Sequence, residues 1–232
     1  MRGIAPSLAC PHLCVREKVG VPMNDLKLRA EICEVGRRLW AKNLIGATEG
    51  NISVRLSSQR ILCTPSGLSK GHMQPRDLVV IDNAGNPVGD GVPSSEIKLH
   101  LRILQDRKDC QAVIHAHPPI ATAFTLAGED IPDDVLPESM YVLGSVATVN
   151  FSLPGTHEVP DNLVPLIPDH KTFLLSHHGA ATMGKDVWDA LYRMETLERV
   201  AQMLMISKLL GKTIPMPPYA FDALMSKLNG SL

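Results

Sequence analysis

Val113-Ile-His-Ala-His-Pro-Pro119 is an apolar run that carries two histidines one residue apart and is stopped by two prolines. Side chains on a β-strand alternate between faces, so a strand here puts His115 and His117 on the same side. Their Cα atoms then lie roughly 6.5 Å apart, a span that two imidazoles can bridge to reach one divalent ion. Alone, such a pair is more often two half-buried histidines satisfied by backbone partners. A second apolar run, Leu174-Leu-Ser-His-His-Gly-Ala180, also ends in histidines at a glycine turn. Three neutral imidazoles from two strand ends, with a fourth position left open, form the donor set of a catalytic zinc site. Periodicity does not choose between His177 and His178, because the strand can end before either.

The whole chain sets the frame for that site. Its 232 residues, 44 % of them hydrophobic, suffice for one sizeable core and a single domain. A net charge of -1, spread along the chain, provides no basic footprint for nucleic acid or a membrane surface. No apolar run approaches the roughly 20 residues of a bilayer span. Cysteines 10, 14, 33, 63 and 110 are odd in number and irregularly spaced, which argues against a disulfide framework and for a reducing, cytoplasmic compartment. Residues 1–22 hold no signal-peptide core, and Cys10-Pro-His-Leu-Cys14 has no second pair with which to bind zinc. They read as a mobile N-terminal extension, with the domain running from 23 to 232.

Along the domain, Leu28, Ile32, Val35 and Leu39 recur at helical steps after Asn24 or Asp25, which suit N-caps. Strands follow at Asn51–Leu56, Arg60–Thr64 and Leu78–Asp82. Ser94 or Ser95 then caps a helix whose buried stripe is Ile97, Leu101 and Leu104. After the His-x-His strand, Pro118 suits the first turn of a helix through Ala121–Leu126. Val146–Phe151 reads as a strand, Asp161–Ile167 as a short helix, Thr172–Ser176 as the last strand, and Asp186–Leu210 as the longest helix. From about 211 the tail reads as irregular, since Ile214-Pro-Met-Pro-Pro218 suits neither a helix interior nor a central strand. The expected fold class is α/β (α+β), a mostly antiparallel central sheet covered by helices.

Five segments in this order, Gly50-Asn-Ile-Ser53, Thr64-Pro-Ser-Gly67, Ser94-Ser-Glu96, His115-Ala-His117 and His177-His-Gly179, resemble the class II aldolase/adducin family. The resemblance spans Met23 to about Leu210 and is nearest to the zinc aldolases that act on fuculose phosphate and other sugar 1-phosphates. It implies a three-layer α/β/α domain and one zinc ion per subunit. It also implies a fourfold-symmetric homotetramer with its sites at subunit boundaries. Position by position, it implies His115, His117 and His178 as metal ligands, leaving His177 a supporting role, and Glu96 as the acid/base carboxylate. Asn51, Ser66, Gly67, Ser94 and Ser95 match positions that cradle a substrate phosphate, a task for which hydroxyls, backbone N–H groups and a helix N-terminus are suited. Where fuculose-phosphate aldolases carry a tyrosine that serves the aldehyde oxygen, this chain has Glu138, with Tyr141 three residues on.

The activity so implied is cleavage of a ketose 1-phosphate into dihydroxyacetone phosphate and an aldehyde. Relatives in the same family are alternatives. The 4-epimerases resemble this pattern but with an aspartate after the serine pair, so Glu96 speaks against them. Dehydratases keep zinc and a similar glutamate, and a decarboxylase-like relative stays open for want of a recognised basic partner. Adducin-like structural domains lack the metal histidines that stand here. His72 and His100 read as a loop residue and a helix-face residue with no role.

Overall fold

A computed structural model describes residues 23–228 and Gly230. The expectation for residues 1–22 lies outside them. In chain order the elements are α1 (Met23–Ala41), β1 (Asn51–Arg55), β2 (Arg60–Cys63), β3 (Val79–Asp82), α2 (Ile97–Asp106), β4 (Ala112–Ala116) and α3 (Pro119–Ala127). They continue with β5 (Val146–Val149), α4 (Glu158–Leu163), β6 (Thr172–Leu175), β7 (Gly179–Gly184), α5 (Val187–Leu209) and α6 (Pro218–Leu228). The seven strands form one sheet in the order β3-β2-β1-β4-β7-β6-β5. Every pairing is antiparallel except that of β5 with β6.

Strand alternation splits the apolar residues into two layers, one on each face of the sheet. Ile52, Val54, Leu62, Ala112, Ile114, Ala116, Leu174 and Ala180 pack with side chains of α1, α3 and α5. Ile61, Cys63, Val113, Phe173, Leu175, Ala181 and Met183 pack on the other side, with those of α2 and α4. The result is an α/β/α sandwich. His115, two residues beyond Val113, therefore points toward the α2 layer, as do Asn51 and Ser53 between the inward residues of the opposite face. Cys33, Cys63 and Cys110 are free thiols buried in the core. Burial pushes Cys63 up to about 12 and Cys110 up to about 11. Among the described residues no helix is long and apolar enough to cross a membrane.

The longest helix behaves as its periodicity predicts. Val187, Ala190, Leu191, Met194, Leu197, Val200, Ala201 and Leu204 are its buried stripe, and the Asp186 carboxylate caps its start by accepting from the Asp189 N–H at 2.8 Å. The sheet, however, has a strand that the apolar pattern did not announce. Gly179-Ala-Ala-Thr-Met-Gly184 forms β7, buried along its whole length between β4 and β6. Its small residues have low strand propensity, but they let α5 come close. A Cβ on Gly184 would stand 2.4 Å from the Ala190 nitrogen, and Thr182 Oγ1 donates to the Ala190 carbonyl at 2.8 Å.

Strand ends shift by one or two residues, and four helix starts also differ from expectation. The first helix already includes Asn24 and Asp25, and Asp25 accepts from Arg29 Nε at 3.1 Å. Residue 96, and neither serine, occupies the N-cap position of α2. Pro118 is the N-cap of α3, and Pro119 is its first residue. The short helix before β6 starts at Glu158, ahead of Asp161. The tail is irregular only through 217, after which α6 forms. Its Pro218 stands at the first helical position, where a missing N–H costs nothing.

Candidate metal centre

His115 at the end of β4, His117 just beyond it and His178 just before β7 converge at one edge of the sheet. The register explains the meeting: β4 and β7 pair with Ala116 opposite Ala180 and His115 opposite Ala181. The three ring centroids lie 4.9, 4.7 and 5.1 Å apart. One nitrogen from each ring lies within 4.8 Å of the others. The Nε2 atoms of His115 and His117 are 3.1 Å apart, near the roughly 3.3 Å that two ligands of a tetrahedral zinc would show. His115 Nδ1 donates to the Ala180 carbonyl at 2.9 Å, which leaves Nε2 as the lone-pair nitrogen aimed into the cluster. The donor chemistry and spacing thus fit a zinc ion.

The histidine pair at 177–178 is separated by backbone geometry. His177 has φ +56° in the left-handed region, and its ring lies edge-on to Phe151 with centroids 6.1 Å apart. Its N–H donates to Thr125 Oγ1 at 3.1 Å. That turn swings His178 into the cluster and His177 out of it. Gly179 lets the two strands close on the site, since a Cβ there would lie 2.5 Å from the Ala116 carbonyl oxygen and 2.8 Å from His117 Cδ2.

Glu96 enters from the α2 side. Its oxygens lie 3.2 Å from His115 Nε2 and 3.1 Å from His178 Nε2, and one of them accepts from Asn51 Nδ2 at 3.0 Å. Burial pushes its carboxyl upward, but hydrogen bonding and charge from His115 and His178 outweigh this and hold it below the usual carboxylate range. Burial, followed by repulsion from the other two rings, lowers His117 to about 4. The His117 ring is therefore kept ready to serve as a neutral donor.

The segments expected to hold a phosphate lie side by side next to Glu96. Ser66 N donates to the Val92 carbonyl at 2.9 Å and Ser94 N to the Thr64 carbonyl at 3.3 Å. Ser94 is buried, and its Oγ accepts from the Glu96 N–H at 3.4 Å. Ser66, Gly67 and Ser95 are exposed beside it. Asn51 is buried on Glu96 itself. Glu138 and Tyr141 are not brought to the cluster. Tyr141 is exposed on a single π-helical turn, Ser139–Leu143, and Glu138 precedes it. Glu138 lines a cavity of about 750 Å³ with Lys42, Leu44, Glu195 and Glu198. Among the described residues neither makes a hydrogen bond or ion pair with Glu96 or the three histidines.

Two residues were missed. Glu49 Oε2 is 3.6 Å from His117 Nδ1. Lys70 is only 2 % exposed, and its ammonium donates to the Thr48 carbonyl at 2.6 Å. Burial lowers its pKa, opposed by the charge of Glu96. The one signal for either was nearness in sequence to Gly50-Asn51 and Ser66-Gly67.

With this geometry in hand, comparison with known proteins is direct. L-fuculose phosphate aldolase of Methanococcus maripaludis is 34 % identical over 173 residues, which cover 75 % of this chain and 93 % of that protein. 3-Oxo-tetronate 4-phosphate decarboxylase of Haemophilus influenzae is 30 % identical over 185 residues, covering 78 % and 88 %. The crystal structure of YgbL from Escherichia coli superposes with a TM-score of 0.81 at 26 % identity, covering 87 % of this chain and 99 % of that one. The family model for the Class II Aldolase and Adducin N-terminal domain matches residues 30–205. With the match spanning nearly every element that builds the site, this chain belongs to the class II aldolase and adducin family.

Proposed function

We propose that this chain is a zinc-dependent lyase that cleaves a ketose 1-phosphate into dihydroxyacetone phosphate and an aldehyde. The observation that carries this reading is the convergence of His115, His117 and His178 with the Glu96 carboxylate against two of the rings. The relative named as a fuculose phosphate aldolase supports it. The three histidines would hold one zinc ion per subunit. Such an ion supplies Lewis-acid stabilisation for the negative charge that develops when a carbon–carbon bond beside a carbinol breaks.

The rest falls to the chain's own side chains. Ser66 and Gly67 after β2, with Ser94 and Ser95 just before α2, take the phosphate with backbone and hydroxyl donors, and Asn51 joins that cradle to Glu96. Binding energy spent there lines up the scissile bond over the histidines. Glu96 delivers a proton to the carbon that keeps the electron pair, and removes it again in the condensation direction. The proposal includes a homotetramer with sites at subunit boundaries. Exposed apolar residues near the C-terminal end, Leu209, Leu210, Ile214 and Tyr219, support an interface there.

A second reading is loss of carbon dioxide from a 3-oxo sugar acid 4-phosphate, the activity named for a 30 % identical relative. Lys70 favours it, as a buried cation that feels the charge of Glu96 and can oppose a substrate carboxylate. Both reactions leave an electron pair next to the same carbonyl, and both yield dihydroxyacetone phosphate. The test is a panel of ketose 1-phosphates plus 3-oxo-tetronate 4-phosphate, offered to zinc-loaded protein. Aldehyde release with dihydroxyacetone phosphate supports the first reading and carbon dioxide the second. Dihydroxyacetone phosphate from neither substrate class defeats both.

A further inference from the structure

β1 and α2 run in step below the metal centre. Asn51 Nδ2 donates to Glu96 Oε2, and four residues along the strand the Arg55 guanidinium donates to the Leu104 carbonyl. The strand from 51 to 55 rises about 13 Å, and the helix from 96 to 104 about 12 Å. Ser53 is the midpoint of one span and His100 the midpoint of the other, so the two end contacts bracket both residues. Both residues are buried, Ser53 at 1 % and His100 at 0 % exposed. Among the described residues, Ser53 Oγ, both ring nitrogens of His100 and Asn51 Oδ1 have no hydrogen-bond partner.

We propose that His100 is a positioning residue. It pairs with Ser53 through one internal water, as the middle rung of a polar seam that sets α2, and so Glu96, against the metal histidines.

The surroundings make a polar pair here informative. Leu99, Ile103 and Leu104 on the same helix, and Cys63 and Val113 on the strands flanking Ser53, are apolar and buried. A side chain like these at position 100 would need no partner, whereas a buried imidazole must find one. Apolar contacts alone are non-directional and would let α2 slide along the sheet. Glu96, one turn before His100, contacts two rings at 3.1–3.2 Å, and a slide of half an ångström would break both contacts. His100 stays neutral, since burial, followed by the charge of His115, lowers it to about 3 against the opposing pull of Glu96. The rung is thus a hydrogen bond, not an ion pair.

The activity arm of the test rests on the proposed lyase function, and the spectroscopic arm does not. Zinc-loaded wild type, Ser53→Ala, His100→Leu and His100→Gln would be compared for kcat, KM, bound zinc and melting temperature. Imidazole nitrogen–proton NMR spectra would be recorded alongside. The wild type is expected to show a slowly exchanging ring N–H from His100 that Ser53→Ala loses. His100→Leu is expected to keep its zinc, an undiminished melting temperature and a KM within twofold, with kcat at least tenfold lower. His100→Gln, which keeps a donor and an acceptor, should recover most of that loss. A fully active His100→Leu, or a His100 ring N–H that exchanges freely in the wild type, would overturn the proposal. Should His100→Leu not fold, full activity in Ser53→Ala would do the same. A wild type inactive on every sugar phosphate would refute the lyase reading and leave the ring N–H to judge the seam.

Discussion

Gly179 is the place where one added methyl group should separate metal binding from folding. A Cβ there would meet the Ala116 carbonyl oxygen at 2.5 Å and His117 Cδ2 at 2.8 Å, whereas ordinary contact begins near 3.4 Å. The two neighbours must therefore recede by about 0.9 and 0.6 Å, by the same geometry. The carbonyl cannot yield freely, because it belongs to the β4 segment between two ligands and opposite β7. The His117 ring can move, but a zinc site tolerates only about 0.2 Å in each ligand distance. Gly179→Ala should thus cost about 1–3 kcal/mol of stability from overpacking, or roughly 2–12 °C in melting temperature. It should also weaken zinc at least tenfold. Calorimetry on metal-free protein reads the first effect, and competition against a chromophoric chelator reads the second. Wild-type zinc affinity in Gly179→Ala would refute the claim that these strands are closed on the metal centre to the limit of contact.

Glu96→Gln should retain stoichiometric zinc while kcat falls by about 10²–10⁴, and wild-type turnover would remove the carboxylate from the mechanism. Lys70→Met should lower kcat/KM for a keto-acid phosphate at least tenfold and leave ketose 1-phosphates less affected; equal loss on both would deny Lys70 a part in carboxylate recognition. Acid should destabilise the metal-free protein through its histidines. His117 and His100 are held near 4 and 3 in the fold, below their ordinary 6.5. Their contribution is present above about pH 6.5 and is lost as pH falls through those folded values, on the order of 3–5 kcal/mol each when complete. Lowered Glu96 acts in the same direction further down, below its unfolded value. A melting temperature flat from pH 6.5 to 4 would contradict this, and His117→Gln should make the decline shallower.

What could be read from the sequence was whatever obeys a local period or marks an element's end. His115 and His117 share a face because strands repeat every two residues, and α5 shows its stripe because helices repeat every 3.6. The mostly antiparallel sheet between helical layers follows from such signals together with the family resemblance. What escaped has its meaning in a distant partner. β7 lacks the apolar alternation of a strand because its residues answer to α5, which needs them small at Gly184 and Thr182. The α2 cap falls on Glu96 because the chain at 92–94 is tied across to Thr64 and Ser66, which no count of serines before a helix reveals.

Glu138 and Tyr141 show the same limit from the other side. They lie in a stretch with no period of its own, and the fold puts the first of them in a cavity with Lys42, just past the end of α1, and Glu195 of α5. His100 is the sharpest case. Its helical position was plain, but a histidine on a helix face means one thing against solvent and another against a buried serine. Only its burial, with the pairings of Asn51 with Glu96 and of Arg55 with Leu104 on either side of it, places it in the gap between strand and helix. The metal ligands could be named in advance because each is read along its own strand, whereas the residue that aligns their carboxylate neighbour can be read only across the gap between strand and helix.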